Sequence, residues 1–254
     1  MKTAPTAAPG SSPRGVQGEE QVSRYVRRMF DGVAPRYDFL NHLLSFQTDR
    51  YWRWRTVSLL RPFLAPVRDA RPRVVDLCCG SGDLTIALQR ASAVPVFGSD
   101  FSHRMLQTAQ RKIGAKALPS MVFESDALRL PLPDASVHLV TAAFGFRNLA
   151  NYRRGLEEMH RVLAPGGAAA ILEFSTPPSP LFRRFYDFYS LRVLPRLGAL
   201  FSNEPDAYEY LPESVRKFPG AEDLAAQMRH AGFADVRFHR MTFGMVALHI
   251  GIRT

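Results

Sequence analysis

The stretch Asp76-Leu-Cys-Cys-Gly-Ser-Gly-Asp83 joins an apolar run to a helix-like one through two glycines. Gly80 and Gly82 carry no Cβ, so the backbone there can turn sharply and approach a ligand closely, with the Ser81 hydroxyl between them. About 20 residues on, at the end of the next apolar run, stands Asp100, where a carboxylate can accept hydrogen bonds from both hydroxyls of a ribose. The third run is followed by Ser125-Asp126-Ala127. Asp126 can accept from an exocyclic amine while the Ala127 amide donates to a ring nitrogen, although an aspartate capping an ordinary turn reads the same way. Asp76, Asp100 and Asp126 thus fall at the ends of three successive runs, the pattern of a binding rim.

A dinucleotide loop asks for a third glycine where this chain has Thr85, and Asp83 sets a negative charge where a pyrophosphate would meet the helix N-terminus. A cationic ligand with a ribose and no phosphate suits the loop better. S-adenosylmethionine, with its sulfonium and ammonium groups, is therefore expected at Gly80, Ser81, Gly82, Asp100, Asp126 and Ala127, ahead of NAD.

The elements that must hold these residues alternate. Strands are expected at 73–78, 94–100, 121–124, 137–144 and 168–174, with helices at 83–90, 102–113 and 152–163 between them. Ser102 is the expected cap of the second of these helices, and Pro165-Gly-Gly167 the stop of the third. Such alternation means right-handed crossovers and a parallel sheet covered on both faces, with ligands bound outside the carboxyl ends of the strands. Helices near 22–30, 38–46 and 50–60 precede the alternation. A helix at 221–231 and two closely spaced strands at 236–240 and 245–252 end it, the latter as an antiparallel hairpin at the sheet edge.

With 46% hydrophobic residues in 254, the chain suits one α/β domain with additions. Residues 1–21, rich in Pro, Gly, Ser and Ala and lacking an apolar h-region, read as a disordered tail rather than a signal peptide. Residues 22–254 then form a single domain: a helical lid at 22–65, a cofactor-binding core at 73–175, a substrate or lid insertion at 178–220 and a closing helix with strands at 221–254. No apolar run approaches the about 18 residues of a membrane-spanning helix. Cys78 and Cys79 are adjacent, a poor disulfide geometry, so reduced thiols acting as small apolar residues in a cytoplasmic setting are expected. The histidines show no ligand spacing and no metal is expected. The net charge of +10 is concentrated: residues 1–65 hold ten Lys/Arg against five Asp/Glu, and residues 181–197 hold four Arg against Asp187 alone. A solvated basic face, nucleic acid or an anionic lipid surface would each account for it.

With those motifs placed, the chain resembles the quinone-biosynthesis C-methyltransferases, which act on demethylmenaquinol or a polyprenyl benzoquinol. The resemblance rests on Phe30-Asp-Gly-Val-Ala-Pro-Arg-Tyr-Asp38, Phe144-Gly-Phe-Arg-Asn148, Leu172-Glu-Phe-Ser175, Tyr210-Leu-Pro-Glu-Ser-Val-Arg216 and Val246-Ala-Leu-His249, besides the glycine loop. It implies a class I methyltransferase fold. That is a doubly wound, mostly parallel, seven-stranded Rossmann-like sheet with an antiparallel C-terminal edge strand and an N-terminal helical lid. Ser81 stands where relatives often have threonine, and Ala143 where some have serine, so Ala143 is left out of the expected site. The double cysteine favours menaquinone-pathway members. The implied substrate is demethylmenaquinol, with a benzoquinol as the alternative. An RNA methyltransferase, or an idle S-adenosylmethionine-binding protein, is more remote, and nucleic acid is not an expected partner.

Methylating a ring carbon requires an electron-rich carbon in line with the methyl group, so alignment, exclusion of water and stabilisation of the quinolate matter most. The parent hydroxyl has a pKa near 10. Arg147, just past the fourth strand, is expected to stabilise that oxyanion, and Asn148 to orient the ring or a water; an Arg–carboxylate pair fixing the loop is the competing reading. Tyr37, in the lid, is a candidate hydroxyl relay, and His249 reads as structural. Trp52 and Trp54 point about 200° apart on one helix and cannot share a buried face. Among Arg50, Arg53 and Arg55, and with the apolar stripe 182, 185, 186, 189 and 193 flanked by Arg183, Arg184 and Arg192, they suggest peripheral contact with an anionic membrane. Self-association is left open.

Overall fold

Four consecutive buried residues, Val74-Val-Asp-Leu77, form the central strand β1. An unbroken buried run of this kind belongs to a parallel strand covered on both faces. The computed structural model describes residues 10–34, 38, 41–42, 45–65, 73–188 and 205–254, and of residues 185–188, 205–209 and 211 the backbone alone. After α1 (Glu19–Val33) and α2 (Thr48–Leu64) come β1, α3 (Asp83–Ala91), β2 (Val96–Asp100), α4 (His103–Ala115), β3 (Met121–Glu124) and β4 (Val137–Ala143). A short 3-10 turn, Phe146–Asn148, leads to α5 (Tyr152–Val162) and β5 (Leu163–Phe174). α6 (Pro180–Phe188), α7 (Pro205–Lys217), α8 (Ala221–His230), β6 (Phe233–Met241) and β7 (Val246–Arg253) complete the order.

The seven strands lie in the order β3-β2-β1-β4-β5-β7-β6. β1 to β5 are parallel, and β7 runs antiparallel to both β5 and β6. The hairpin expected at one edge is therefore present, with β7 inserted next to β5 and β6 outermost. The chain starts in the middle at β1, winds out to β3 and returns to β4 on the other side, so the strand order reverses between β1 and β4. Alternate residues face opposite layers. Val75, Leu77, Val140 and Ile171 point to a core with Tyr152, Leu156, Met159 and Met228, while Val74, Leu139, Ala170 and Leu172 meet Trp52, Leu60, Leu84 and Leu88.

Local signals account for most boundaries. Ser102 Oγ accepts from the Met105 amide at 3.2 Å and starts α4, and Asn151 Oδ1 accepts from the Arg154 amide at 3.0 Å and starts α5. The Pro165-Gly-Gly167 segment lies inside β5 rather than before it. Leu163 already pairs with Val137, and the pairing shifts before Ala168 meets Leu139, so those three residues are looped out of the ladder.

The tail expected to be disordered through Gln21 is tethered from Gly10 on. Ser11 donates its amide to Leu149 O at 2.7 Å and its hydroxyl lies 2.7 Å from Tyr210 Oη, while Lys217 Nζ donates to Ser12 O at 2.7 Å. Composition missed this because the partners are other parts of the chain. α1 likewise begins at Glu19, where Asn151 and Arg154 hold the Glu19 carboxylate and draw its pKa down. Asp38, Asn41 and His42 are helical and residues 45–47 form a turn; the rest of the helix expected over 38–46, Tyr37, and residues 189–200 lie outside the described residues.

The two tryptophans of α2 part as their spacing requires: Trp52 is 4% exposed and Trp54 61%. Trp52 rests against Phe144 and Phe174, with ring centroids 5.7 and 6.2 Å away, and its indole N–H donates to Thr242 Oγ1 at 2.7 Å. Trp52→Ala is expected to cost about 3–5 kcal/mol in urea unfolding, and Trp54→Ala about 0.5 kcal/mol or less.

Candidate active site

The carboxyl ends of β1 and β4 meet where the strand order reverses. Beyond them the chain enters left-handed backbone at Cys78 (φ 49°), Gly80 (φ 54°), Gly82 (φ 83°) and Phe144 (φ 57°). A Cβ on Gly145 would lie 2.3 Å from Cys78 Cβ, so only glycine lets the two strand tips come this close. Beneath them Asp76 accepts from Thr141 Oγ1 at 2.6 Å and Thr85 Oγ1 at 2.7 Å. Burial pushes its carboxyl up to about 6 despite both hydroxyls. Thr85, which stands in place of a third glycine, is thus the brace of the loop.

Two cavities open on this junction, and Cys78, Gly80 and Phe144 line both. The smaller, about 50 Å³, is bordered by Asp100, Asp126 and Ala127, with Ser23 and Phe30 of α1 in its wall. Among the described residues it has no lysine or arginine, so a diphosphate would find no countercharge, whereas a neutral nucleoside finds carboxylate and hydroxyl acceptors. Asp100 Oδ2 accepts from the Gly80 amide and Oδ1 from the Ser102 amide, both at 2.9 Å. Burial nevertheless pushes the Asp100 carboxyl up to about 6, these amides working against it and Asp31 with it. Asp126 Oδ1 accepts from the Leu128 amide at 2.9 Å, so it caps its own turn as well as bordering the cavity.

The larger cavity, about 350 Å³, is mostly apolar, with Trp52, Phe144, Phe174 and Met245 in its wall. Arg147 lines it. Its guanidinium lies 3.2 and 3.1 Å from the two oxygens of Glu173, also bonds Phe144 O, and sits 5.3 Å from the Phe174 ring. Burial raises the Glu173 pKa while Arg147 and two backbone amides draw it down. Asn148 borders the smaller cavity, where its Oδ1 accepts from Tyr210 Oη at 3.0 Å. The expected Arg147–Asn148 pair is therefore divided between the two chambers. Gly82 lines neither; it starts α3 and packs on Ala109. Tyr37 lies outside the described residues.

Sequence reasoning missed a polar chain over the loop. Ser81 Oγ donates to Asp38 Oδ1, and Lys112 Nζ bonds Asp38 Oδ2 at 2.7 Å, Ser81 Oγ at 3.3 Å and the Asp83 carboxylate. Arg53 lies 3.5 Å from Asp83 and also pairs with buried Asp49, which His42 and Ser45 each approach to 2.7 Å. The charge of Asp83 at the start of α3 is thus matched by two cations already committed to carboxylates. Arg216 also lines the larger cavity and, among the described residues, has no ion-pair partner; its place in Tyr210–Arg216 was the available signal. Burial, then Asp100 and Asp76, push both Cys78 and Cys79 well above the usual thiol range, which keeps them protonated and inert. His249 is structural: its Nε2 lies 2.8 Å from Ala221 O, and burial lowers its pKa to about 4.

The sheet, the glycine loop and the acidic nucleoside chamber define a class I methyltransferase. In fold the chain is similar to a methyltransferase from Thermotoga maritima described as a possible histamine N-methyltransferase (TM-score 0.63, 18% identity, 89% of this chain and 99% of that one). It is equally similar to the [4+2]-cyclase SpnF (TM-score 0.64, 16% identity, 97% and 99%); the shared fold therefore does not fix the reaction. Sequence is more specific. A profile of the ubiE/COQ5 methyltransferase family matches residues 17–253. A demethylmenaquinone methyltransferase of Thermus thermophilus is 49% identical, over 89% of this chain and 100% of its own. One of Deinococcus radiodurans is 47% identical, over 93% and 95%. The ubiquinone/menaquinone biosynthesis C-methyltransferase UbiE of Geobacter sulfurreducens is 44% identical, over 89% and 87%. The chain belongs to the ubiE/COQ5 methyltransferase family, and it is an S-adenosylmethionine-dependent methyltransferase.

With the Asp100 carboxyl pushed up to about 6 in the wall of the smaller chamber, affinity for S-adenosylhomocysteine is expected to fall as acid protonates it. Calorimetry should find the affinity flat above pH 7 and about tenfold weaker at pH 5. Asp100→Asn should bind weakly and lose that slope.

Proposed function

We propose that this enzyme transfers a methyl group from S-adenosylmethionine to a ring carbon of demethylmenaquinol. The observation that carries the reading is the junction at Cys78, Gly80 and Phe144, where a chamber with no cation among the described residues opens onto an apolar chamber large enough for an aromatic ring. The names borne by the Thermus and Deinococcus relatives agree with it. Methylation of a benzoquinol is the second reading, favoured by the name of the Geobacter relative.

The cofactor supplies an electrophilic methyl group on a sulfonium. Asp100, Asp126, the Ala127 amide and Gly80 would hold its adenosine, with Ser81 facing the larger cavity and Gly82 shaping the turn of the loop. Ser23 and Phe30 of α1 would form one wall around the adenosine. Trp52, Phe144 and Phe174 exclude water and fix the ring plane. Arg147 stabilises negative charge on the quinol oxygen, although Glu173 takes up part of its charge; Arg216, with no such partner among the described residues, adds to the field. Asn148 acts from the nucleoside side, and Tyr37 is retained as a candidate relay.

Residues 22–65 act as a lid over a core at 73–175, with residues 178–220 as a second flap. Among the described residues no helix is long and apolar enough to cross a membrane. Exposed Trp54 and Leu181, set among Arg50, Arg55, Arg183 and Arg184, support peripheral binding to an anionic surface at the cytoplasmic face, where a lipid-soluble quinol resides.

Labelled methyl transfer, with demethylmenaquinol, a benzoquinol and bulk tRNA offered in parallel, tests the assignment. Incorporation into demethylmenaquinol at the highest kcat/KM is expected, and labelling of tRNA alone would overturn it. Arg147→Ala strands Glu173 in the interior at a cost of about 3–5 kcal/mol, so Arg147→Lys is the cleaner variant. It should lower kcat about tenfold or more with S-adenosylhomocysteine affinity intact; unchanged turnover would remove Arg147 from the chemistry. Sedimentation should show preference for anionic over neutral vesicles, and equal binding to both would rule out the charge-driven surface.

A further inference from the structure

Two turns beside the larger cavity hold backbone conformations that residues with side chains avoid. Phe46 and Gln47 have φ values of 50° and 64°, and Thr242 and Phe243 have 48° and 55°. Left-handed backbone is unusual at any non-glycine residue and most so at a β-branched one such as Thr242. Such strain persists only where its surroundings hold it, and it gathers at ligand clamps. Here the Trp52 indole holds Thr242 through the 2.7 Å hydrogen bond, and Trp52 stands on the helix that begins just after Gln47.

Each strained turn displays a phenylalanine to water, Phe46 at 70% exposure and Phe243 at 65%. Phe243 stacks on Phe182 with ring centroids 4.2 Å apart and planes 7° from parallel, so it is a fixed surface. Phe46 itself and Thr242, the neighbour of Phe243, also line the cavity. One exposed ring is therefore part of the chamber wall, and the other stands one residue outside it.

The chamber, about 350 Å³, is at the small end of ligand sites, which run from about 300 to 1,000 Å³. It accommodates an aromatic ring beside the reacting methyl group and leaves no room for a chain of isoprene units. That chain must leave through the wall. From the continuity of the two turns with the chamber, we propose that Phe46 and Phe243 form an apolar collar that grips the first isoprene units of the quinol tail as it emerges. The assignment rests on the quinol reading above. An isoprenoid offers no hydrogen-bonding group, so its recognition must come from burial against fixed apolar surface, which the exposed faces of the two rings supply.

Phe46→Ala, Phe243→Ala and the double variant test the collar in buffer free of detergent and vesicles. The substrates are a demethylmenaquinol carrying two isoprene units and its tail-less counterpart. Phe243→Ala, whose ring stands outside the chamber, is expected to lose about tenfold in kcat/KM on the tailed quinol, mostly through KM, and less than about twofold on the tail-less one; Phe46→Ala and the double variant, which also alter the chamber wall, should lose at least about tenfold more on the tailed quinol than on the tail-less one. S-adenosylhomocysteine affinity and Tm should match the wild type, since both rings are exposed; if the double variant does not fold, the single variants carry the comparison. Equal losses on the two quinols, or none on either, would overturn the collar, as would a deficit seen only when vesicles are added, which would make the rings membrane anchors. Wild-type enzyme that methylates neither quinol would instead overturn the functional reading beneath it.

Discussion

A buried carboxylate at the middle of the sheet sets the shape of everything above it. Ionised Asp76 is costly in the interior, and burial has already moved its titration toward neutrality. The Thr85 and Thr141 hydroxyls offset that cost, and in doing so they lash α3 and β4 to β1. With the three elements held together, the chain has to reverse within a few residues, through left-handed backbone at Cys78 and Gly80 and against the bare backbone of Gly145. Both chambers open on that reversal.

Electrostatics then distinguishes the chambers. The smaller chamber has acceptors and, among the described residues, no cation, and its Asp100 carboxylate is kept in place by backbone amides. The ring side has three arginines in different states. Arg53 is bound to Asp49 and Asp83, Arg147 to Glu173, while Arg216 meets no carboxylate among the described residues. A buried pair such as Arg147–Glu173 contributes more to a unique loop geometry than to stability. Arg147 thus fixes the loop while it stands in the wall of the larger cavity.

The N-terminal segment belongs to the same network. Asp38, Ser81, Lys112 and Asp83 join it to the glycine loop and α4. α1 walls the smaller chamber from the other side with Ser23 and Phe30. Segments distant in sequence from the glycine loop thereby border both chambers.

The order of the strands and of the helices between them, the glycine loop, the capping of α4 by Ser102 and the divergence of Trp52 from Trp54 were legible in the sequence, whereas α7 was not among the expected elements. Each rests on periodicity, backbone freedom or a hydrogen bond a few residues long. The acidic rim was half legible: Asp100 and Asp126 border the nucleoside chamber, whereas Asp76 braces the loop from beneath. What only the tertiary structure decided depends on partners far apart in the chain. Glu173 neutralises Arg147 from another strand, Asn148 turns toward Tyr210, Ser11 anchors a segment whose composition suggests disorder, and Lys112 gathers two carboxylates from different elements. A residue's type states what it can bond; only the packing of the sheet determines which of its possible partners comes within 3 Å.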